Sequence, residues 1–288
     1  MKSILRIAGI LLSSLAISQA AALKVTSFST ITTDLAKNIG GNNIDLIPIV
    51  KPGVDPHEFQ PSPSDVQQVG ESDLVLLTGK GIEGYLTKLQ ESAPHAAFVD
   101  CGKAFPSLHM VDEGKDIEDP HWWHSIANVK KAAEVVKTAL IRADPAHSKE
   151  YEKNADAYLG RLADLETWAK EKIATLPRDK RKLVTSHDAF QYFARDFGFK
   201  IYAIEGVSTE DEPSSKKVAE LIQTIKDQGV KAVFFENIEN PKVITAITRE
   251  TGAKIGGELY ADGLGDKEAT TYIDMMKHNV TTIVDSLQ

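Results

Sequence analysis

Short apolar runs alternate with amphipathic stretches along most of the chain. In the first half the predicted strands are residues 23–28, 44–50, 73–78 and 96–99, and in the second half they are 182–186, 200–204, 231–235 and 254–260. The predicted helices between them are residues 30–39, 189–197, 214–228 and 243–251. Because alternating strands and helices are typical of parallel sheets, the pattern predicts an α/β fold with two lobes, each a mostly parallel sheet flanked by helices.

A much longer helical pattern, at about residues 145–175, separates the two halves. Its apolar residues recur at steps of three and four and so form one stripe: Tyr151, Ala155, Tyr158, Leu162, Leu165 and Ala169. A helix of this length spans roughly 45 Å and could cross both lobes, although an ordinary surface helix would show the same stripe. Asp144 is the expected N-cap, before Pro145. We therefore divide the chain into lobes at 21–143 and 177–288 and a connecting helix at 144–176.

The first twenty residues have the pattern of a secretory signal peptide. Lys2 and Arg6 precede an apolar run at 7–17, and Ser18-Gln19-Ala20 resembles a small-x-small cleavage site. A membrane anchor is the alternative, but the run is shorter than the roughly 20 residues that a span needs. No cysteine follows the cleavage site, so a lipid anchor is not expected. The segment 1–20 thus predicts export to the periplasm without stable membrane insertion.

Composition narrows the function further. The 288 residues include 33 Lys and Arg against 41 Asp and Glu, which gives a formal net charge of −8. An acidic chain is a poor nucleic-acid partner, because phosphate binding uses a surplus of basic residues. The single cysteine, Cys101, excludes an intramolecular disulfide and a CxxC site, and is expected to be a buried apolar residue.

Three of the eight histidines and one carboxylate share a setting. His57 and His187 follow predicted strands, Asp262 follows the last strand, and His121 comes after the last strand of the first half and a loop. Ligands bind at the carboxyl ends of strands in open α/β sheets. Three imidazoles and one carboxylate could fill a tetrahedral zinc shell, and imidazole also suits Cu, Fe and Ni. The alternative for any single loop histidine is a solvated side chain.

Other candidates have simpler interpretations. His124 lies three residues after His121 and could be an alternative ligand, but we expect a supporting or surface residue. His109 belongs to an acidic segment, 109–119, that could capture cations weakly, although a solvated loop is the expectation. Trp122 and Trp123 are expected to be packing residues. The remaining histidines lie in polar surroundings and are expected at the surface: His95, His147 and His278.

At these residues the chain resembles the zinc/manganese solute-binding proteins of bacterial ABC importers, the cluster A-I family, over nearly its whole length after residue 20. The motifs that carry the resemblance are Asp55-Pro56-His57-Glu58-Phe59, Pro61-Ser62-Pro63-Ser64-Asp65, Ser72-Asp73-Leu74-Val75, Asp119-Pro120-His121-Trp122-Trp123, Thr185-Ser186-His187-Asp188-Ala189-Phe190 with Tyr192-Phe193, and Leu259-Tyr260-Ala261-Asp262. The resemblance implies two α/β lobes joined by a single long rigid helix. It also implies a metal site in the interlobe cleft with His57, His121, His187 and Asp262 as ligands.

The third ligand position bears on the metal. Manganese members of the family usually carry Glu there and zinc members carry His, so His187 favours Zn²⁺ over Mn²⁺. Imidazole in place of an oxygen donor also moves a site toward borderline metals. The chain departs from many dedicated zinc members in two ways, since it has no His-rich loop before His121 and no disulfide. A manganese or iron protein of the same transporter class is the alternative.

The resemblance also implies partners, namely an ABC permease with its ATPase subunit and, as an option, a metallochaperone, for a chain that acts as a monomer. No GxxxxGK[ST] motif occurs in the sequence. An exported zinc-dependent hydrolase is a remote alternative, because four protein ligands leave no open position for water and neither HExxH nor GxSxG is present. A surface adhesin would not need ligand histidines in two lobes.

Overall fold

The computed structural model describes residues 22–112, 115–209, 214–236 and 242–288. The predicted signal peptide, 1–20, lies outside these residues. Within the described ranges, no helix combines the length and the apolarity needed to cross a bilayer.

Ten strands and nine α-helices make up the described part of the chain. The strands are β1 (Leu23–Ser27), β2 (Ile44–Pro48), β3 (Leu74–Leu77), β4 (Ala97–Asp100), β5 (His109–Asp112), β6 (Lys115–Glu118), β7 (Lys182–Thr185), β8 (Lys200–Ala203), β9 (Ala232–Glu236) and β10 (Lys254–Leu259). The helices are α1 (Thr30–Gly40), α2 (Pro63–Gly70), α3 (Leu86–Ser92), α4 (Ile126–Ala143), α5 (Ser148–Ala174), α6 (Gln191–Phe197), α7 (Ser215–Gln228), α8 (Lys242–Thr251) and α9 (Tyr272–Leu287).

The first lobe is built on a four-stranded parallel sheet in the order β2-β1-β3-β4. Val25 in β1 pairs with Leu46 on one side and Leu74 on the other. All four residues of β3 are buried, as expected for a strand covered on both faces. The α/β prediction and the four predicted strands are therefore confirmed in this lobe, with ends that differ by a few residues.

The second lobe contains two pairs of parallel strands, β7 with β8 and β9 with β10. Strand β7 also lies against β9, so the carboxyl ends of the two pairs are close together. The four predicted strands are present. The predicted helix at 189–197 begins two residues later, at Gln191.

The long helix is confirmed as α5, which has 27 residues. Its buried residues are the predicted stripe with one addition: Tyr151, Ala155, Tyr158, Leu162, Leu165, Ala169 and Ile173. Helix α5 packs against α1 of the first lobe and α9 of the second, and so is in contact with both. Asp144 precedes a short 3-10 turn, but its carboxylate accepts hydrogen bonds from His147 Nδ1 (2.6 Å) and Tyr151 Oη (2.8 Å) rather than capping the backbone.

The acidic segment 109–119 was expected to be a solvated loop, and this expectation is wrong. Strands β5 and β6 form an antiparallel hairpin in which His109 pairs with Glu118 and Met110 with Ile117. His109 Nδ1 lies 3.2 Å from Asp116 Oδ2 in an exposed ion pair.

One buried cluster joins the lobes and includes Trp122, Trp123 and Phe190. Trp122 Nε1 donates to the carbonyl of Thr78 at 3.0 Å. The prediction that both tryptophans are packing residues is confirmed. Cys101 is likewise buried in this cluster, as expected for a small apolar residue.

A buried polar contact fixes α5 against α1. Tyr158 Oη donates to Asp34 Oδ2 at 2.8 Å, and both residues are buried. Tyr158→Phe should lower the free energy of unfolding by about 2 kcal/mol, because it removes a hydrogen bond to a buried carboxylate. Urea denaturation of the metal-free protein measures this change.

Tyr151→Phe is the matched control for this prediction. Its hydroxyl also donates to a carboxylate, that of Asp144, which is only half-buried and can be hydrated once the tyrosine hydroxyl is gone. Tyr151→Phe should lower the free energy of unfolding by less than about 1 kcal/mol. Equal losses of unfolding free energy in the two variants would show that the buried hydrogen bond between α5 and α1 stabilises the fold no more than the half-buried one.

Candidate metal centre

The structure brings all four predicted site residues together. His57 lies in the loop after β2, His187 directly follows β7, and Asp262 follows β10. His121 comes after the β5–β6 hairpin, where a short 3-10 turn begins. Each half of the chain therefore supplies two side chains to one point in the cleft between the lobes, and one potential donor atom from each lies within 4.8 Å of all the others.

The distances between the ring nitrogens fit a single ion. His121 Nε2 lies 3.1 Å from His57 Nε2 and 3.2 Å from His187 Nε2. A tetrahedron with metal–nitrogen bonds of about 2.0–2.1 Å has edges of about 3.3–3.4 Å. All three rings thus present Nε2 to a common centre at nearly the separation that one bound ion requires.

Asp262 completes the group with both carboxylate oxygens. Oδ1 lies 3.2 Å from His121 Nε2 and 3.5 Å from His57 Nε2, and Oδ2 lies 3.4 Å from His187 Nε2. Apart from these ring nitrogens, neither buried oxygen has a polar partner in the described part of the chain. A buried carboxylate without hydrogen-bond donors is costly, so this cavity is suited to a cation.

A carboxylate fixes the ring of His121. Asp119 Oδ1 accepts a hydrogen bond from His121 Nδ1 at 2.8 Å and another from the His121 backbone N–H at 2.9 Å. Both side chains are fully buried. A proton held on Nδ1 leaves Nε2 of the neutral ring free to bind a metal.

Glu236, at the end of β9, does the same for His187. Its Oε2 accepts a hydrogen bond from His187 Nδ1, and its Oε1 accepts the backbone N–H groups of Ser186 (3.1 Å) and His187 (3.2 Å). Sequence reasoning missed the supporting roles of Glu236 and Asp119. Two features of the sequence could have indicated these roles. Glu236 is an acid at the end of β9, which lies beside β7, and Asp119 is an acid two residues before the candidate ligand His121.

His57 is held differently. Asp55 Oδ1 accepts the backbone N–H of His57 at 2.8 Å, and no carboxylate among the described residues bonds to its ring Nδ1. The His57 side chain is 8% exposed, whereas those of His121, His187 and Asp262 are at most 1% exposed. His57 is therefore the ligand candidate on the solvent side of the site.

His124 supports the loop that carries Asp262. Its ring is buried and stacked on Phe190 at 4.2 Å, and its Nε2 donates to the carbonyl of Ala261 at 2.8 Å. Trp123 Nε1 donates to the same carbonyl at 2.7 Å. Burial, aided by the nearby charge of His121, lowers the pKa of His124 to about 3, so the ring stays neutral. The expectation of a supporting residue rather than a ligand fits these contacts.

The far side of the Asp262 loop is fixed to the first lobe. The backbone N–H of Leu264 donates to Thr30 Oγ1 at 2.8 Å. Gly263 permits this approach, because a Cβ there would lie 2.7 Å from the same hydroxyl. The carboxylate is thus held from both sides.

Carboxylates also determine the protonation of the two buried rings. Burial alone would lower the pKa of His187, but the charges of Asp262 and Glu236 raise it well above its ordinary value. Burial would also lower the pKa of His121, but hydrogen bonds to Asp119 and Asp262 raise this pKa above its ordinary value. The pKa of Asp262, which burial would raise, is held well below its ordinary value, chiefly by the charge of His187. Without a metal, protons supply the positive charge that the acids favour.

Comparison with known families and proteins agrees with this geometry. The family described as ZnuA, the periplasmic component A of the zinc-uptake complex, matches residues 25–286. The chain is 36% identical over 265 residues to the manganese-binding lipoprotein MntA of Halalkalibacterium halodurans, covering 91% of this chain and 87% of that protein. It is 33% identical over 264 residues to the iron-binding protein YfeA of Yersinia pestis, and the match covers 90% of this chain and 85% of that protein.

Solved structures share the fold. The periplasmic zinc-binding protein TroA from Treponema pallidum superposes with a TM-score of 0.86 at 30% identity, covering 92% of this chain and 99% of that one. A manganese-bound periplasmic metal-binding protein from Candidatus Liberibacter asiaticus superposes with a TM-score of 0.84 at 28% identity, and the match covers 93% of this chain and 100% of that one. The two-lobe α/β fold class is confirmed.

Metal affinity should fall as the pH drops. The rings must be neutral to bind an ion, and because the pKa values of His121 and His187 are raised, the fall should begin above the ordinary histidine pKa of about 6.5. Competition with a chromophoric chelator between about pH 8.5 and 5.5 measures this. A constant affinity over that range would contradict a site of three imidazoles.

The free energy of unfolding of the metal-free protein should rise as the pH falls. Rings with raised pKa values stabilise the folded state fully below their unfolded pKa, and this contribution is lost as the pH rises through the folded pKa. The difference in Tm between the metal-loaded and the metal-free protein should therefore narrow as the pH falls. Differential scanning calorimetry of both forms tests the sign.

Glu236→Gln should weaken metal binding about 10- to 100-fold, because both oxygens of Glu236 accept hydrogen bonds. Glutamine has one acceptor oxygen, so its NH₂ group must face either His187 Nδ1 or the two backbone N–H groups, and the ring of His187 is no longer fixed. Isothermal titration with Zn²⁺ measures the affinity. The matched control is Glu58→Gln, which neutralises an exposed acid beside His57 and should leave the affinity within about twofold. Similar losses in both variants would mean that net charge, rather than ring orientation, determines the affinity.

Proposed function

Because the chain belongs to the family of periplasmic zinc-uptake complex A components, we propose that it captures a divalent transition metal ion, Zn²⁺ first, at His57, His121, His187 and Asp262 and delivers it to an ABC permease. The convergence of four donor atoms in a buried cavity supports this proposal most directly. The carboxylate of Asp262 has no polar partner but the three rings in the part of the chain that the structure describes, and a cation there would neutralise its charge.

The donor set supports zinc. Three imidazole nitrogens and one carboxylate give four donors, the number in a closed zinc shell. The ring separations of 3.1 and 3.2 Å are close to those of such a shell. Nitrogen ligands also favour the borderline zinc ion over the harder manganese ion.

Manganese is a second candidate because of one observation at Asp262. Its two oxygens face different rings, Oδ1 toward His121 and Oδ2 toward His187. A carboxylate in this orientation can bind through both oxygens and raise the donor count to five, which suits an ion with a larger coordination number. The relatives MntA and YfeA, described as manganese- and iron-binding, agree with a site that accepts more than one metal.

A solute-binding role agrees with the family, which consists of transport components rather than enzymes. Catalytic zinc keeps an open position for water, whereas four or five protein donors here surround the ion. The proposed partners are the permease and the ATPase subunit of an ABC importer, with a metallochaperone as an option, for a monomeric chain. The proposal also retains a cleavable signal peptide at 1–20, lobes at 21–143 and 177–288, and the connecting helix at 144–176.

Metal content after native purification tests the proposal. The protein should carry about one zinc per chain, and His187→Ala should lose most of it because one of four donors is removed. Inductively coupled plasma mass spectrometry gives the stoichiometry. Protein that never contains a stoichiometric transition metal, even after exposure to Zn²⁺ and Mn²⁺, would overturn the proposed function.

His187→Glu tests which metal the third donor favours. Exchange of imidazole for an oxygen donor should lower the affinity ratio of Zn²⁺ to Mn²⁺ by at least about tenfold. Competition titrations with both ions on the variant and the unmodified chain measure the ratio. An unchanged ratio would show that this position does not determine the preference for zinc.

A further inference from the structure

The two Asp-Pro-His motifs form the same turn but use their aspartates differently. In both, Oδ1 of the aspartate accepts the backbone N–H of the histidine, at 2.8 Å for Asp55 and 2.9 Å for Asp119. Asp119 Oδ1 also accepts the ring Nδ1 of His121. Asp55 directs its other oxygen away from the ring and accepts a hydrogen bond from Thr209 Oγ1 at 2.6 Å.

This bond joins the two lobes beside the site. Thr209 follows β8 in the second lobe, and Asp55 lies in the loop after β2 in the first. The two residues are half-buried, and they lie next to the ligand candidate with the greatest exposure, His57. One carboxylate thus holds the His57 backbone with one oxygen and the opposite lobe with the other.

The remaining donors are fixed by other contacts, which for the Asp262 loop also join the two lobes. The rings of His121 and His187 are oriented by the buried acids Asp119 and Glu236. Asp262 is held through its neighbours Ala261 and Leu264. The position of His57 depends instead on an irregular loop, in which the carboxylate of Asp55 accepts a hydrogen bond from Thr209 of the second lobe.

We propose that Asp55 and Thr209 are positioning residues that hold His57 on the bound ion and set the rate at which the ion leaves. This inference rests on the proposed function. Loss of the Thr209 hydroxyl frees one oxygen of Asp55 and lets the His57 loop move away from the second lobe. His57 then dissociates first, while His121, His187 and Asp262 stay in place. Capture of the ion changes little, because those three donors are already oriented.

The test compares the dissociation of Zn²⁺ from five zinc-loaded proteins, the unmodified chain and four variants, into an excess of chromophoric chelator, followed by stopped-flow absorbance. Thr209→Val removes the hydroxyl at nearly constant volume, and Thr209→Ser restores it without the methyl group. Thr224→Val is the matched control, because the Thr224 hydroxyl donates to the carbonyl of Glu220 within α7 and to no other group among the described residues. Thr209→Ala is a second variant without the hydroxyl.

Thr209→Val and Thr209→Ala should release Zn²⁺ at least about tenfold faster, as expected when a hydrogen bond to a charged acceptor is lost. Their association rates should stay within about twofold, and Thr209→Ser and Thr224→Val should match the unmodified chain. Unchanged release from Thr209→Val, or fast release from Thr209→Ser as well, would overturn the positioning role. Absence of zinc binding in the unmodified chain would instead overturn the proposed function itself.

Discussion

The site depends on the burial of one carboxylate, Asp262, whose only hydrogen-bond donors among the described residues are three histidine rings. Asp262 lies in the cleft between the two lobes, and its two oxygens face Nε2 atoms at 3.2 to 3.5 Å. A charge in such surroundings is strongly unfavourable unless a cation neutralises it. The cavity therefore favours positive charge, as protons on the rings or as a metal ion.

This constraint explains the placement of the surrounding acids. Asp119 and Glu236 lie behind His121 and His187, hold their Nδ1 atoms and point both Nε2 atoms at the centre. Each acid adds negative charge near the ion while remaining outside its direct contact. The neutral His124 holds the Asp262 loop without adding to the charge of the site. The orientation of the ligands thus depends on residues that do not touch the ion.

The sequence predicted the α/β class, most strands and the long helix, because period-2 and period-3.6 apolar patterns are local. It also indicated the four donors, since His57, His187 and Asp262 end parallel strands. Three features were not predictable in this way. The hairpin at 109–118 is short and acidic, and its three apolar residues are too few and too irregularly spaced to predict a strand. The bonds of Glu236 to His187 and of Asp55 to Thr209 join residues 49 and 154 positions apart, and no local pattern reports such pairings.

X-ray absorption spectroscopy of the zinc-loaded protein tests the central claim most directly, because it counts the atoms bound to the ion. The account predicts three imidazole nitrogens and one or two carboxylate oxygens at about 2.0–2.2 Å, with one imidazole fewer in His57→Ala. A first shell with fewer than three imidazoles, or one that does not change in His57→Ala, would contradict it.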